Sequence, residues 1–224
     1  MDRGAAVYIL RLILQRIIGI LLFFAGSSWI CDRRTGIYFS LYLIIGILSG
    51  SIMYKVNPET IRERGKIRTD SPVWDKILLT VYWLLAYFII YLIAGLEYEK
   101  ISSIDVRYCI GILFYIAATV ITLQAMVMNT YLESTARIQR DRNQKVVQSG
   151  VYRIIRHPTY LAILIFCIAV SLIFPSLFVA ITAAVIAVIT VIRTYLEDSM
   201  LVKGLDGYRD YANRVRYRLI PFVW

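Results

Sequence analysis

Residues 150–203 read GVYRIIRHPTYLAILIFCIAVSLIFPSLFVAITAAVIAVITVIRTYLEDSMLVK. Two apolar runs, Thr159–Phe174 and Leu177–Leu196, are separated only by Pro175-Ser176. A bilayer core about 30 Å thick takes a helix of about 20 apolar residues. The runs therefore read as a membrane hairpin with a tight far-side turn. The second continues as helix to Lys203, because no breaker intervenes before Gly204. Polar residues flank both open ends: Arg153, Arg156 and His157 before the hairpin, Arg193, Glu197 and Asp198 at its close.

Upstream, four more apolar stretches have spanning length: Tyr8–Ile30, Gly36–Tyr54, Ile77–Leu96 and Tyr108–Met128. The chain is 59% hydrophobic over 224 residues, above the roughly 45–50% of soluble domains. The expectation is an all-α, polytopic integral membrane protein of about six spans. Residues 1–130 read as a scaffold of four spans with a loop at 55–76. Residues 131–224 read as a second region of basic loop, hairpin and tail. The N-terminus shows no signal-peptide cleavage pattern, so the first run is expected to stay as a span.

The net charge of +10 follows from topology. Placing the N-terminus, the 55–76 loop, the 131–158 loop and the tail on one side gives that side 18 Lys and Arg residues, against four on the other. The positive-inside rule makes the richer side cytoplasmic, with both termini there. All the polar motifs share that side. Arg11 and Arg16, near the start of the first span, read as snorkelling to the interface. Gly46-x-x-x-Gly50 reads as a motif allowing close helix approach. Asn57-Pro58 reads as the start of a turn or short helix, and Glu133–Arg142 as an extension of the fourth helix into water. Cys31, Cys109 and Cys167 lack metal spacing and read as small buried hydrophobes.

His157 is the sole histidine, and Pro158 after it suits a first helical turn. His157 is thus expected at a helix N-terminus, where free N–H groups, the helix dipole, Arg153 and Arg156 favour an anion. An ordinary basic membrane boundary would look the same. Arg193 and Glu197 are four apart, so they share a helix face. An intramembrane arginine is costly unless paired or facing a wet cavity, and Glu197 is its natural partner, either as a structural ion pair or as part of a site. The tail, Gly204–Trp224, alternates aromatic and basic residues. Beside a membrane this suits the headgroup surface rather than nucleic acid. Pro221 and Trp224 suggest an ending that packs back on the protein. No P-loop, dinucleotide fingerprint, nucleophile elbow or metal-ligand set is visible, so neither metal nor nucleic acid is expected as a partner.

Three blocks together resemble the membrane-embedded methyltransferases typified by isoprenylcysteine carboxyl methyltransferase, with phosphatidylethanolamine N-methyltransferase more distant. They are Gly150-x-Tyr152-x-x-x-Arg156-His157-Pro158-x-Tyr160, Arg193-x-x-x-Glu197-Asp198-x-x-Leu201, and Tyr208-x-x-Tyr211 with Arg218-Leu219-Ile220-Pro221. The resemblance covers about Arg137–Trp224 and implies that residues 131–224 form a cofactor-binding catalytic region. It implies an S-adenosylmethionine cofactor held by Gly150, Tyr152, Arg153, Arg156, His157, Pro158, Tyr160, Glu197, Asp198, Tyr208 and Tyr211. It implies a lipophilic acceptor arriving from the bilayer among the membrane lipids, oriented by a catalytic Arg193 that Glu197 would hold. Two positions depart from the pattern: Asp198 stands where a second Glu is usual, and Ala162 where Gly is common. Rival expectations are a phospholipid-amine or small-thiol acceptor, an NADPH-dependent membrane reductase, and a non-enzymatic transporter.

Overall fold

The computed structural model describes residues 3–66, 68–99 and 103–224, with the Arg3 side chain left aside. Every regular element among them is helical. The order is α1 (Arg3–Gly26), α2 (Arg33–Val56), α3 (Pro58–Arg64), α4 (Val73–Leu84), a π-helical turn (Leu85–Ile89), α5 (Ile90–Leu96), α6 (Val106–Met128), α7 (Pro158–Ile173), α8 (Leu177–Gly204) and α9 (Tyr208–Arg214). Short 3₁₀ turns occupy Arg140–Arg142 and Gly150–Arg153.

Five helices are long and apolar enough to cross a membrane: α1, α2, the continuous α4–α5 unit Val73–Leu96, α6 and α8. Helix α7, at 16 residues, is about 24 Å long at 1.5 Å per residue and completes the hairpin with α8. Large apolar side chains such as Leu10, Ile47, Leu113 and Val188 face outward. A soluble protein rarely tolerates so continuous an apolar surface, whereas a bilayer requires it. This is a polytopic membrane bundle.

The helix ends follow local chemistry. Asp32 and Thr35 form a reciprocal capping box at α2. Asp105 caps α6 by accepting from Tyr108 N at 2.7 Å, and Ser176 caps α8. Asn57 caps α3, with Pro58 at its first position. The Asn57 amide also donates to the carbonyls of Met126 and Val127. Those last α6 carbonyls are thereby satisfied, and Asn129 turns extended. The expected extension of the fourth helix through Glu133–Arg142 therefore does not form. That stretch is irregular chain ending in the 3₁₀ turn Arg140–Arg142.

The core is aromatic. Phe23 on Phe39 and Tyr38 on Phe39 and Phe174 pack edge to face, Tyr91 lies tilted beside Tyr38, and the Tyr38 and Tyr91 hydroxyls share a 2.8 Å hydrogen bond. Close helix approach comes from Gly26 and Gly95, each against the other helix's backbone, rather than from Gly46 or Gly50. Gly46 instead clears space for Arg16, whose Nε would lie 2.5 Å from an added Cβ. The snorkelling expected of Arg16 is likewise corrected. Its guanidinium turns inward, stacks on Tyr42 at 4.9 Å and donates to the Tyr42 and Leu12 carbonyls. Cys167 is buried as expected, whereas Cys31 and Cys109 are exposed.

Candidate active site

α3, the 131–157 segment, the start of α7, the end of α8 and the tail meet at one end of the bundle. Charge pairs knit the loops there. Arg68 bridges Glu63 at 2.7 Å and Glu133 at 3.3 Å. Arg137 pairs with Glu133, Asp141 and Asp70. Burial pushes the Glu63 carboxyl up, but the hydrogen bond and charge of Lys66, with Arg142 and Arg68, bring it below the usual glutamate value. The Arg137 hydrogen bond is the main cause holding Asp141 below the usual aspartate value.

The three sequence blocks converge here. His157 is the N-cap of α7, with Pro158 at the first helical position. Asp198, nearly two turns from the end of α8, takes Arg156 in a two-pronged grip at 2.9 Å on each oxygen. The same carboxylate accepts from Arg218 Nε at 2.8 Å, Tyr208 hydroxyl at 2.9 Å and His157 Nε2 at 3.2 Å. A carboxylate offers about four lone-pair sites, so Asp198 has no capacity left. The tail is sewn on from the other side as well. Arg156 and His157 donate their backbone N–H groups to the Tyr217 and Arg218 carbonyls, both at 3.0 Å. Tyr211 donates to the Tyr152 carbonyl at 2.8 Å, and Arg218 lies 5.0 Å over the Trp224 ring. The ending packs back on the protein as its composition suggested. Burial, then the Asp198 charge, raises the Tyr208 hydroxyl well above the usual tyrosine value, which keeps its proton available to donate to Asp198.

Beneath this clamp lies a cavity of about 330 Å³, within the roughly 300–1,000 Å³ span of small-molecule sites. It begins among His157, Tyr160, Arg193, Glu197 and Tyr208 and reaches inward to Arg16, Tyr42 and Tyr115. Of the residues singled out in the sequence, Tyr152, Arg156, Pro158 and Tyr211 also line it. Gly150, Arg153 and Asp198 stand outside the lining. Gly150 has φ +56° and packs on Met128, where a side chain would collide. Arg153 is exposed. Asp198 is consumed by the clamp.

Arg193 and Glu197 share the cavity face of α8, but the pairing expected between them is replaced. Asp75, fully buried in the first turn of α4, takes Arg193 Nε and Nη2 on one oxygen at 3.1 and 2.5 Å. Its other oxygen accepts from Ala136 N at 2.9 Å. Ser134 O accepts from Arg193 Nη2, and the guanidinium sits 5.5 Å over Tyr160. Glu197 accepts instead from the Tyr160 hydroxyl at 2.5 Å. Among the described residues Glu197 has no cationic partner. Asp75 was missed because an acid in a first helical turn is ordinary dipole compensation; its only distinguishing signal is its place at the edge of a long apolar run.

Residues 106–206 match the model of the phospholipid methyltransferase family. The matched segment, a little under half of the chain, runs from α6 through the hairpin and contains the His157, Arg193 and Glu197 positions. A search of curated proteins finds no match. No cluster of His, Cys, Asp and Glu suited to a metal ion occurs among the described residues.

Proposed function

We propose that this chain is an S-adenosylmethionine-dependent methyltransferase acting on a lipophilic acceptor, with an isoprenylcysteine-type carboxylate as the leading candidate. The observation that carries the reading is the placing of Glu197, which has no salt-bridge partner among the described residues, beside an Arg193 fixed by Asp75, in a cavity that leads from a polar rim into the bundle. The match of residues 106–206 to a phospholipid methyltransferase model supports the reaction class.

The residues present suit the cofactor. It bears a carboxylate, an ammonium, a ribose and a sulfonium. Glu197 offers an anionic oxygen to the cationic groups. The Thr135 hydroxyl and Arg64 Nε are buried without partners and line the cavity, where they suit hydroxyls or a carboxylate. A buried polar atom left unpaired costs about 1–3 kcal/mol, so these groups favour a polar occupant. Bound, the cofactor supplies an electrophilic methyl group on a sulfonium.

The chain's own contribution is positioning. Arg193 Nη1 makes no hydrogen bond among the described residues, so it is available to orient an acceptor carboxylate. Asp75 and Ser134 O fix the plane of that guanidinium. A carboxylate acceptor needs no general base, and its charge is neutralised by the attack, so a water-poor cavity favours the step. His157, bound to Asp198, secures the tail over the cavity. The loop-rich end is proposed to be cytoplasmic on the 18-to-4 charge asymmetry.

A second reading, methylation of a phospholipid amine, is favoured by the family description. Incubating the detergent-purified protein with methyl-labelled cofactor and either a prenylcysteine or phosphatidylethanolamine separates the two. Label is expected in a base-labile ester of the prenylcysteine; label confined to the lipid amine selects the second reading, and label in neither rejects both.

A further inference from the structure

The inner end of the cavity carries a charge that the proposed chemistry does not use. Arg16 lies 13 residues beyond the described start of α1, about 20 Å along the axis at 1.5 Å per residue. That depth is well inside a hydrocarbon core about 30 Å thick. Its donors reach only two backbone carbonyls, Tyr42 O and Leu12 O, both at 3.2 Å. Its Nη2 makes no hydrogen bond, and no carboxylate pairs with it among the described residues. The phenols of Tyr42, Tyr87 and Tyr115 line the same end. Gly46 keeps the guanidinium in place, since any side chain there would displace it.

An arginine at membrane depth normally pairs or faces a water-filled path. Arg16 has no carboxylate partner among the described residues, and it opens onto the inner end of the cavity that begins at Glu197. A plain hydrocarbon tail filling that end would bury the guanidinium against methylenes, at substantial cost. We infer that Arg16 forms an acceptor subsite for an anionic oxygen group, a carboxylate, carried on the far end of an elongated lipophilic acceptor. The acceptor is then two-ended: one group is methylated beside Arg193, and the other is held by Arg16. This inference rests on the proposed reading for the role of the outer end and narrows its acceptor class. Within the isoprenylcysteine-type acceptors of that reading, it ranks a chain that ends in a carboxylate above one that ends in hydrocarbon.

The test measures binding to the full-length protein in detergent, using hexadecanedioate and hexadecanoate as probes. Wild type is expected to prefer the diacid by about tenfold or more, the equivalent of one charge-assisted hydrogen bond. Arg16→Gln is expected to abolish the preference. Gly46→Ala keeps the charge but moves it, and is also expected to abolish the preference, which guards against loss of fold in the first variant. Thermal unfolding of each variant confirms a folded protein. Equal binding of the two probes by wild type overturns the inference, as does a preference that survives in the folded variants. Titration of S-adenosylmethionine into the same samples keeps the two ideas separable. Its loss in wild type with diacid preference intact sinks the methyltransferase reading and leaves the subsite, while unchanged cofactor binding with no diacid preference does the reverse.

Discussion

Arg193 shows how a single buried charge organises the site. Asp75 neutralises it, Ser134 O aligns it, and Tyr160 stacks beneath it. Replacing Asp75 with Asn leaves a buried guanidinium uncompensated, which costs about 3–5 kcal/mol where a buried pair loses one partner. Asp75→Asn is expected to lower the melting temperature sharply and to depress methyl transfer more than cofactor binding, read by thermal unfolding beside calorimetry. An unchanged melting temperature would contradict the pairing. Glu197 differs, because among the described residues no cation is bridged to it that its loss would strand. Glu197→Gln keeps the shape and the Tyr160 bond, so the fold is expected to persist while cofactor affinity falls by about tenfold or more. The sequence made both α8 residues conspicuous, since charges stand out in an apolar run. It paired them with each other on their i,i+4 spacing, which contacts with other helices satisfy equally well. Asp75 is 118 residues from Arg193, and no local pattern links the two.

At the scale of elements, helix contacts are set where backbones touch. Gly95 packs its Cα against the Phe23 backbone, whereas nothing lies within 4 Å of a Cβ placed on Gly36. Gly95→Ala is therefore expected to destabilise the bundle by about 1–3 kcal/mol through overpacking. Gly36→Ala is expected to be neutral or to stabilise by up to about 1 kcal/mol, since alanine favours a helix. Thermal unfolding of the pair in one detergent checks the contrast. Helix positions were legible from length and hydropathy, including the continuation of α8 past Leu196 to Gly204. The end of α6 was not. Its carbonyls are satisfied by Asn57, far away in sequence, so a stretch with good helix formers became a strap across the cavity instead.

For the whole molecule, the loop-rich end is a charge-knit cap over a membrane cavity. Glu63 and Asp141 both sit below their ordinary values. Depressed carboxyls give stability that is complete above their unfolded values, near pH 4. That stability is lost as pH falls through the lower folded values. Protease nicking within 55–76 or 131–145 is thus expected to be slow at neutral pH and to accelerate below about pH 4 before the spans unfold; pH-independent nicking would argue against the cap. Sidedness is testable through cysteine. Cys31 lies between α1 and α2, at the opposite end from the loops. A membrane-impermeant maleimide applied outside intact cells is expected to label Cys31 and to miss a Ser149→Cys variant made without the native cysteines; the reverse pattern inverts the topology. Which loops share one end was legible from the order of the spans; the side that this end faces is proposed from loop charge alone. The inner cavity was hidden, since Arg16 resembled an ordinary interfacial arginine until its neighbours on α2 were seen.

The most direct measurement is calorimetric titration of S-adenosylmethionine into the purified protein, with Glu197→Gln alongside. The proposed function calls for saturable one-to-one binding by wild type and a loss of about tenfold or more in affinity for the variant. Absence of binding by wild type, or equal binding by both proteins, would contradict it.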